Sequence, residues 1–280
     1  MINIGVNMIN KNNVAGLFAM LLIVSCSMEE SSETASSEDG QVFFNEFMEC
    51  KFGPDMSEEN LTAMISEWQE LITDDSLMGA WGYAPASDSN SDGGSGWWEL
   101  QWTSKENADA AWSDWGENEA AMKWNEKYQG VMQCDGPGRY AFDGVFPINP
   151  DTYGETSEDG YFYSEFYGCT YNDGSSSADL KEFTPGFVSA VAASDYEDTR
   201  YSYGNYLSTD SENPGFLWAN FTASKEMNDK ATASFEADVR EKMFPLFSEF
   251  ASCSDTPNVY HSWTLYLAGN EFMPTFSEKE

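Results

Sequence analysis

Glu46 and Glu165 stand in matched aromatic surroundings at an offset of 119 (165 minus 46) in a chain of 280 residues. A carboxylate enclosed by aromatic side chains loses hydration, rises in pKa and can carry a proton. The plainer reading leaves both glutamates exposed or bonded across a sheet interface, since carboxylates that serve structure are perturbed in the same way. His261 is the one histidine. It alternates with Val259, Trp263 and Leu265, and such a residue is ordinarily packed with a single hydrogen bond. The sharper reading makes it a haem ligand or general base. Any Ser-His-Asp set would have to use it. Asp88-x-Asn90-x-Asp92-Gly93-x5-Glu99 matches the spacing of a calcium loop. There, oxygen ligands alternate, glycine makes the turn and the final glutamate closes the shell. The match falls between predicted strands rather than helices, and Ser95 replaces the usual apolar residue. No cofactor is predicted: calcium is possible at this segment, and a solvated hairpin loop is the plainer reading.

These residues lie on a repeated series of elements. Residues 42–50 read as a Phe-rich strand, and Gly53-Pro54 ends it. Ser57 then caps a helix whose first turn holds Glu58 and Glu59. Leu61, Met64, Ile65, Trp68, Leu71 and Ile72 give that helix one apolar stripe. Strands follow at 77–84 and 97–103, separated by a Ser/Asp/Gly-rich loop. Ser104 caps a second helical region that breaks near Gly116, and its Trp112, Trp115 and Trp124 read as core rather than as a ligand cage. A last strand covers about 139–146. The third strand has two faces. Trp98, Leu100 and Trp102 should cover the helices. Trp97, Glu99 and Gln101 mix polar atoms with aromatics and should look between the sheets.

The order then recurs. Phe43, Glu46, Phe47 and Cys50 match Phe162, Glu165, Phe166 and Cys169, and Cys134 matches Cys253. Gly96, Trp97 and Trp102 map on Gly215, Phe216 and Phe221, whereas Ser104-Lys105-Glu106 maps on Ser224-Lys225-Glu226, which implies one inserted residue between. An ordered series at nearly constant offset is the mark of duplication. On this alignment Trp218 and Asn220 share the inter-sheet face and complete a ligand pocket with Trp97, Glu99 and Gln101. The first repeat spans 42–147, a Pro- and Gly-bearing linker 148–160, the second repeat 161–270, and a tail 271–280. Pro185 should disturb the second repeat's first helix.

The order βαββαβ resembles the ferredoxin-like unit, so the fold class is α+β with two tandem units. That unit sets its fourth strand antiparallel beside its first. The resemblance therefore implies disulfides Cys50–Cys134 and Cys169–Cys253, each closing about 85 residues and adding about 4 kcal/mol by the chain-entropy model. A cysteine zinc site lacks any close pair of cysteines and has one histidine to recruit.

Disulfides need an oxidising compartment, and the N-terminus agrees. Residues 14–25 are an apolar run too short to span a bilayer, with Lys11 before it, so residues 1–25 read as a signal peptide. Ile23-Val24-Ser25-Cys26 resembles the lipobox of bacterial lipoproteins, which implies lipidation of Cys26. Val24 is unusual where small residues are preferred, so cleavage by an ordinary signal peptidase stays open. Residues 26–41 are a polar, acidic tether. The expected address is the cell envelope or periplasm, with membrane contact only through that anchor. Thirteen basic against 48 acidic residues leave a net charge of −35. Such a surface repels phosphate backbones and excludes nucleic acid. It reads as a solvated acidic surface, with cationic ligands as the functional alternative.

Two fused ferredoxin-like units resemble the dimeric α+β barrel superfamily, over about residues 41–268. The resemblance implies a barrel formed inside one monomeric chain, with ligands between sheet and helices or in the lumen. It also implies relatives that are cofactor-free monooxygenases, haem-handling enzymes and small binding proteins. No catalytic motif is carried over. The residues favour a non-enzymatic envelope protein binding a small apolar or aromatic ligand between its sheets. The alternatives are a monooxygenase-like or haem-handling enzyme, with Glu46, Glu165 or His261 converging in one cavity, and a calcium-stabilised interaction module.

Overall fold

The computed structural model describes residues 41–276 apart from 74, 149–156, 158, 197 and 213. The signal peptide, Cys26 and all but the last residue of the tether lie outside the described residues. The first repeat runs β1 (Val42–Phe52), α1 (Glu58–Leu71), β2 (Leu77–Pro85), β3 (Gly96–Trp102), α2 (Lys105–Glu117), α3 (Glu119–Tyr128), β4 (Met132–Cys134) and β5 (Tyr140–Ile148). The second runs β6 (Tyr161–Tyr171), α4 (Ser177–Ala192), β7 (Ser202–Ser208), β8 (Phe216–Thr222) and α5 (Lys225–Ser234), then a five-residue π-helical turn, α6 (Arg240–Phe250), β9 (Ala251–Cys253) and β10 (Asn258–Leu267).

The caps act where the residue types require. Ser57, Ser104 and Ser224 each accept a backbone N–H of the first turn, and Ser176 with Asp179 forms a capping box on α4. The break in the second helical region falls at Asn118 rather than Gly116, because the Asn118 amide oxygen accepts from Ala120 and Ala121 and starts α3 afresh. Pro185 does not end α4, which continues to Ala192.

Within each repeat the strands lie in the order fourth, first, third, second, as the ferredoxin-like unit requires. The repeats then join edge to edge. β5 pairs with β7 and β10 pairs with β2, so eight antiparallel strands close into one barrel, with β4 and β9 as short extensions on β1 and β6. Closure leaves none of the eight with an unpaired edge. Cys50 is the register partner of Cys134 and Cys169 of Cys253, and both pairs are disulfides.

Alternation along the strands sorts the core into an inside and two outsides. Phe47, Tyr83, Phe166, Tyr206, Ala219 and Tyr260 pack in the lumen. Outside, Phe44, Met48, Trp98, Leu100 and Trp102 meet Met64, Ile65 and Trp68 of α1. The second repeat packs Phe187, Val191 and Tyr203 against Val239 and Met243.

β3 and β8 show where the extra residue lies. Cys50 pairs with Gly96 and Cys169 with Phe216, so Gly96 corresponds to Phe216 and not to Gly215. The insertion therefore precedes the strand. A one-residue slip turns every side chain to the other face. Leu217, Ala219 and Phe221 consequently pack with the lumen cluster. Trp218 stacks on Tyr203 outside, with ring centroids 4.8 Å apart, and its Nε1 donates to Asn220. The expected placement of Trp218 and Asn220 in an inter-sheet pocket is thus corrected, whereas Trp97, Glu99 and Gln101 do face inward.

Candidate functional site

Glu99 is the centre of the lumen. It stands mid-strand on β3, opposite Phe47 of β1 and Trp81 of β2, and only 1% of its surface is exposed. Same-face neighbours two positions along adjacent strands lie within reach, and Asn45 and Tyr83 occupy those positions. Asn45 Nδ2 donates to Glu99 Oε1 at 2.6 Å. Tyr83 donates its hydroxyl to Oε2, and Tyr206 of β7 donates to the same oxygen at 3.3 Å. Tyr83 and Tyr206 are pseudo-twofold mates, since their register partners on the third strands are Trp97 and the corresponding Leu217. At the place of Glu99 itself the second repeat has Ala219. Burial pushes the Glu99 carboxyl up to about 7, against the opposing pull of the three donors. Burial and the neighbouring carboxylate raise both tyrosines well above their usual range.

A cavity of about 300 Å³ opens beside this group, lined by Glu99, Tyr83, Tyr206, Gln101 and aromatic side chains including Phe146 and Phe221. Ser202, 2% exposed, also lines it, and its hydroxyl has no hydrogen-bond partner. Arg200 reaches the same cavity from a loop in which it and Asp198 adopt left-handed backbone, with φ of 51° and 67°. Such strain in residues other than glycine is held by the surrounding structure and gathers at functional sites.

Asp92 closes the Trp97 end of the lumen. It accepts Trp97 Nε1 at 2.7 Å and the Tyr260 hydroxyl. Asn90 bonds both the N–H and the carbonyl of Val259. The Asp88–Glu99 segment is therefore fastened to β10, with Asp88 exposed and Glu99 turned into the lumen. The structure does not bring the four calcium-pattern residues together. Among the described residues no group of three or more His, Cys, Asp or Glu is arranged to hold a metal.

Glu46, Glu165 and His261 do not converge either. β1 and β6 turn both glutamates outward, toward the helices of different repeats. Glu46 accepts Trp102 Nε1 at 3.0 Å, Trp112 Nε1 at 2.6 Å and Arg139 Nε at 2.5 Å. The Arg139 guanidinium also lies over the Trp112 ring. Glu165 accepts Asn228 Nδ2 at 2.8 Å. His261 Nδ1 meets the Tyr161 hydroxyl at 2.9 Å on the outer face of β10. Glu165 and His261 share the outer face of the adjacent strands β6 and β10 without touching, and Glu46 lies on the outer face of the first repeat.

A second, larger cavity of about 570 Å³ lies between the sheet and helices of the first repeat. Six of the ten tryptophans line it: Trp68, Trp98, Trp102, Trp112, Trp115 and Trp124. The three helix tryptophans thus border a cavity as well as packing in the core. Trp98, 4% exposed, has an Nε1 without a partner. His261 lines neither cavity, so the residues present do not fit a histidine-ligated haem.

Fold and site define a class: a tandem ferredoxin-like α+β barrel closed within one chain, with a carboxylate in its lumen. The chain is similar in structure to a protein from Fusobacterium nucleatum described as a "putative monooxygenase" (10% identity, TM-score 0.50, covering 85% of this chain and 99% of that one). It is also similar to an anthrone oxidase-like protein (11% identity, TM-score 0.48, 84% and 97%). A third likeness is to the chlorite dismutase of Candidatus Nitrospira defluvii (11% identity, TM-score 0.46, 81% and 93%). At such identities the likeness is one of fold. The sequence matches no protein-family model and no curated protein.

Proposed function

We propose that this is an exported protein that binds a small apolar or aromatic molecule in the lumen of its barrel. The observation that supports this is the cavity beside Glu99, with aromatic walls and few polar groups, the make-up of a small-molecule site. The two disulfides suit an oxidising compartment. Native mass spectrometry of the protein purified from its own envelope is the test. A retained organic mass that is lost in Ala223→Trp, which fills the cavity from its rim, is the expected result. A bare polypeptide mass, with no aromatic compound raising the melting temperature, overturns the reading.

A second reading rests on the larger cavity. Its tryptophan walls suit a flat aromatic substrate, and the unpartnered Trp98 Nε1 suits an acceptor such as a carbonyl. A monooxygenase-like activity there is in keeping with a neighbour in fold described as a "putative monooxygenase". Oxygen uptake with 1-naphthol above the uncatalysed rate supports it, and its absence alongside intact ligand binding favours the binding protein.

A further inference from the structure

The lumen holds a carboxylate without a counter-cation. Asn45, Tyr83 and Tyr206 are neutral donors, and among the described residues no Lys, Arg or His side chain pairs with Glu99. Buried carboxylates ordinarily sit against a cation, because three neutral donors offset only part of the lost hydration. We propose that the lumen takes a small organic cation, an aromatic or N-methylated amine, whose ammonium group pairs with Glu99 and whose remaining surface lies on the aromatic walls. This rests on the lumen being the ligand site, and it names the chemistry of the occupant.

Three further observations support it. Phe43, Trp81, Phe146, Phe162 and Phe221 line the cavity, and ring faces attract ammonium groups, more strongly when these are desolvated. The Ser202 hydroxyl at the cavity wall is unpartnered and can accept an N–H donor. The net charge of −35 raises the local concentration of cations and steers them inward. Arg200 also lines the cavity, but Asp159 is the carboxylate whose charge acts on it, and its charge is not among those acting on Glu99.

Pairing with an ammonium fixes Glu99 in its ionised form, so binding of the cation releases protons near neutral pH. The groups facing Glu99 are Asn45 of β1, Tyr83 of β2 and Tyr206 of β7. Arg200 and Tyr161 line the same cavity, and Asp92 closes the far end. Glu99 is the one carboxylate among the lining residues.

The test pairs each cation with a neutral molecule of the same shape: phenyltrimethylammonium with tert-butylbenzene, and phenethylamine with 2-phenylethanol. Titration calorimetry of the mature protein at pH 8 should show each cation bound at least tenfold tighter than its partner. At pH 6 that preference should fall severalfold. Heats measured in two buffers of different ionisation enthalpy should show about half a proton released at pH 7, from a carboxyl that is half protonated there. Glu99→Gln should abolish the preference, and Ala223→Trp should abolish all binding. The wild-type pH series stands even if Glu99→Gln folds poorly. Equal binding of cations and neutral partners, lost in Ala223→Trp and unmoved by pH, overturns the cation and leaves the lumen site standing. No binding of any of the four overturns both.

Discussion

Replacing Glu99 by glutamine should change how stability depends on pH. In the folded protein burial pushes the carboxyl up to about 7, against an ordinary 4.5. Between those values the folded chain holds a proton that the unfolded chain has lost. The contribution of Glu99 is therefore most favourable below pH 4.5 and is lost as pH rises through 7. Moving a carboxyl from 4.5 to about 7 corresponds to about 3 kcal/mol. Glutamine has no such dependence, and it can fit the site. Its oxygen can accept the two tyrosine hydroxyls, and its NH₂ can donate to a rotated Asn45, whose Oδ1 has no partner. Urea unfolding of both proteins, disulfides intact, at half-unit steps from pH 4.5 to 8.5 is the assay. The many surface carboxylates act on both proteins alike and cancel in the difference. The variant should gain about 3 kcal/mol on the wild type across the range, most of it between pH 5 and 7.5. A difference that stays flat within about 0.5 kcal/mol would refute the claim that burial controls this carboxyl.

Four other outcomes are expected. Removing the Cys50–Cys134 disulfide by a double alanine substitution should cost about 4 kcal/mol in unfolding free energy, from the closure entropy of an 84-residue separation; unchanged denaturant midpoints would contradict this. Glu46→Ala should cost about 3 kcal/mol, because it strips the partner from Arg139 and from two indole N–H groups at once, and Glu46→Gln should recover part of the loss in the same melts. Gly53→Ala should lower stability by about 2 kcal/mol, since a Cβ there would lie 2.2 Å from the Gly130 carbonyl oxygen on fixed backbone; a neutral effect in thermal unfolding would show that the turn can shift. A flat aromatic molecule bound in the larger cavity should quench more than half of the tryptophan fluorescence, because six of ten indoles line it, whereas a lumen ligand should quench far less.

Much of the fold was legible because it is local or repeated. Serine caps, apolar stripes and the alternation on β3 each act within a few residues. The cysteine pairing followed from the strand order that the ferredoxin-like resemblance implies. The error at Trp218 and Asn220 has a definite cause. Aligning Gly215 with Gly96 by residue identity placed the extra residue after the third strand, whereas backbone pairing with β6 places it before. Composition could not resolve this, since either register offers an aromatic on each face. The edge pairing of β5 with β7 and of β10 with β2 was also beyond the local pattern, because it joins segments far apart in the chain.

The repeat also separates what builds the barrel from what occupies it. Glu46 and Glu165 recur, and the structure binds each to the packing of its own repeat. For this pair, recurrence marks a position that each repeat uses in its own packing. A group that serves one ligand in a shared lumen has no reason to recur, because the pseudo-twofold would place two carboxylates in one small cavity and their charges would repel. Glu99 obeys that rule. Its counterpart is Ala219, which leaves room rather than a second charge, whereas the tyrosines that donate to it are kept in both repeats as Tyr83 and Tyr206. In a duplicated barrel, the buried polar residue that breaks the repeat is therefore the stronger pointer to a binding site. Glu99 is such a residue, the charged one among them, and the member of the calcium-loop pattern that lines the lumen cavity.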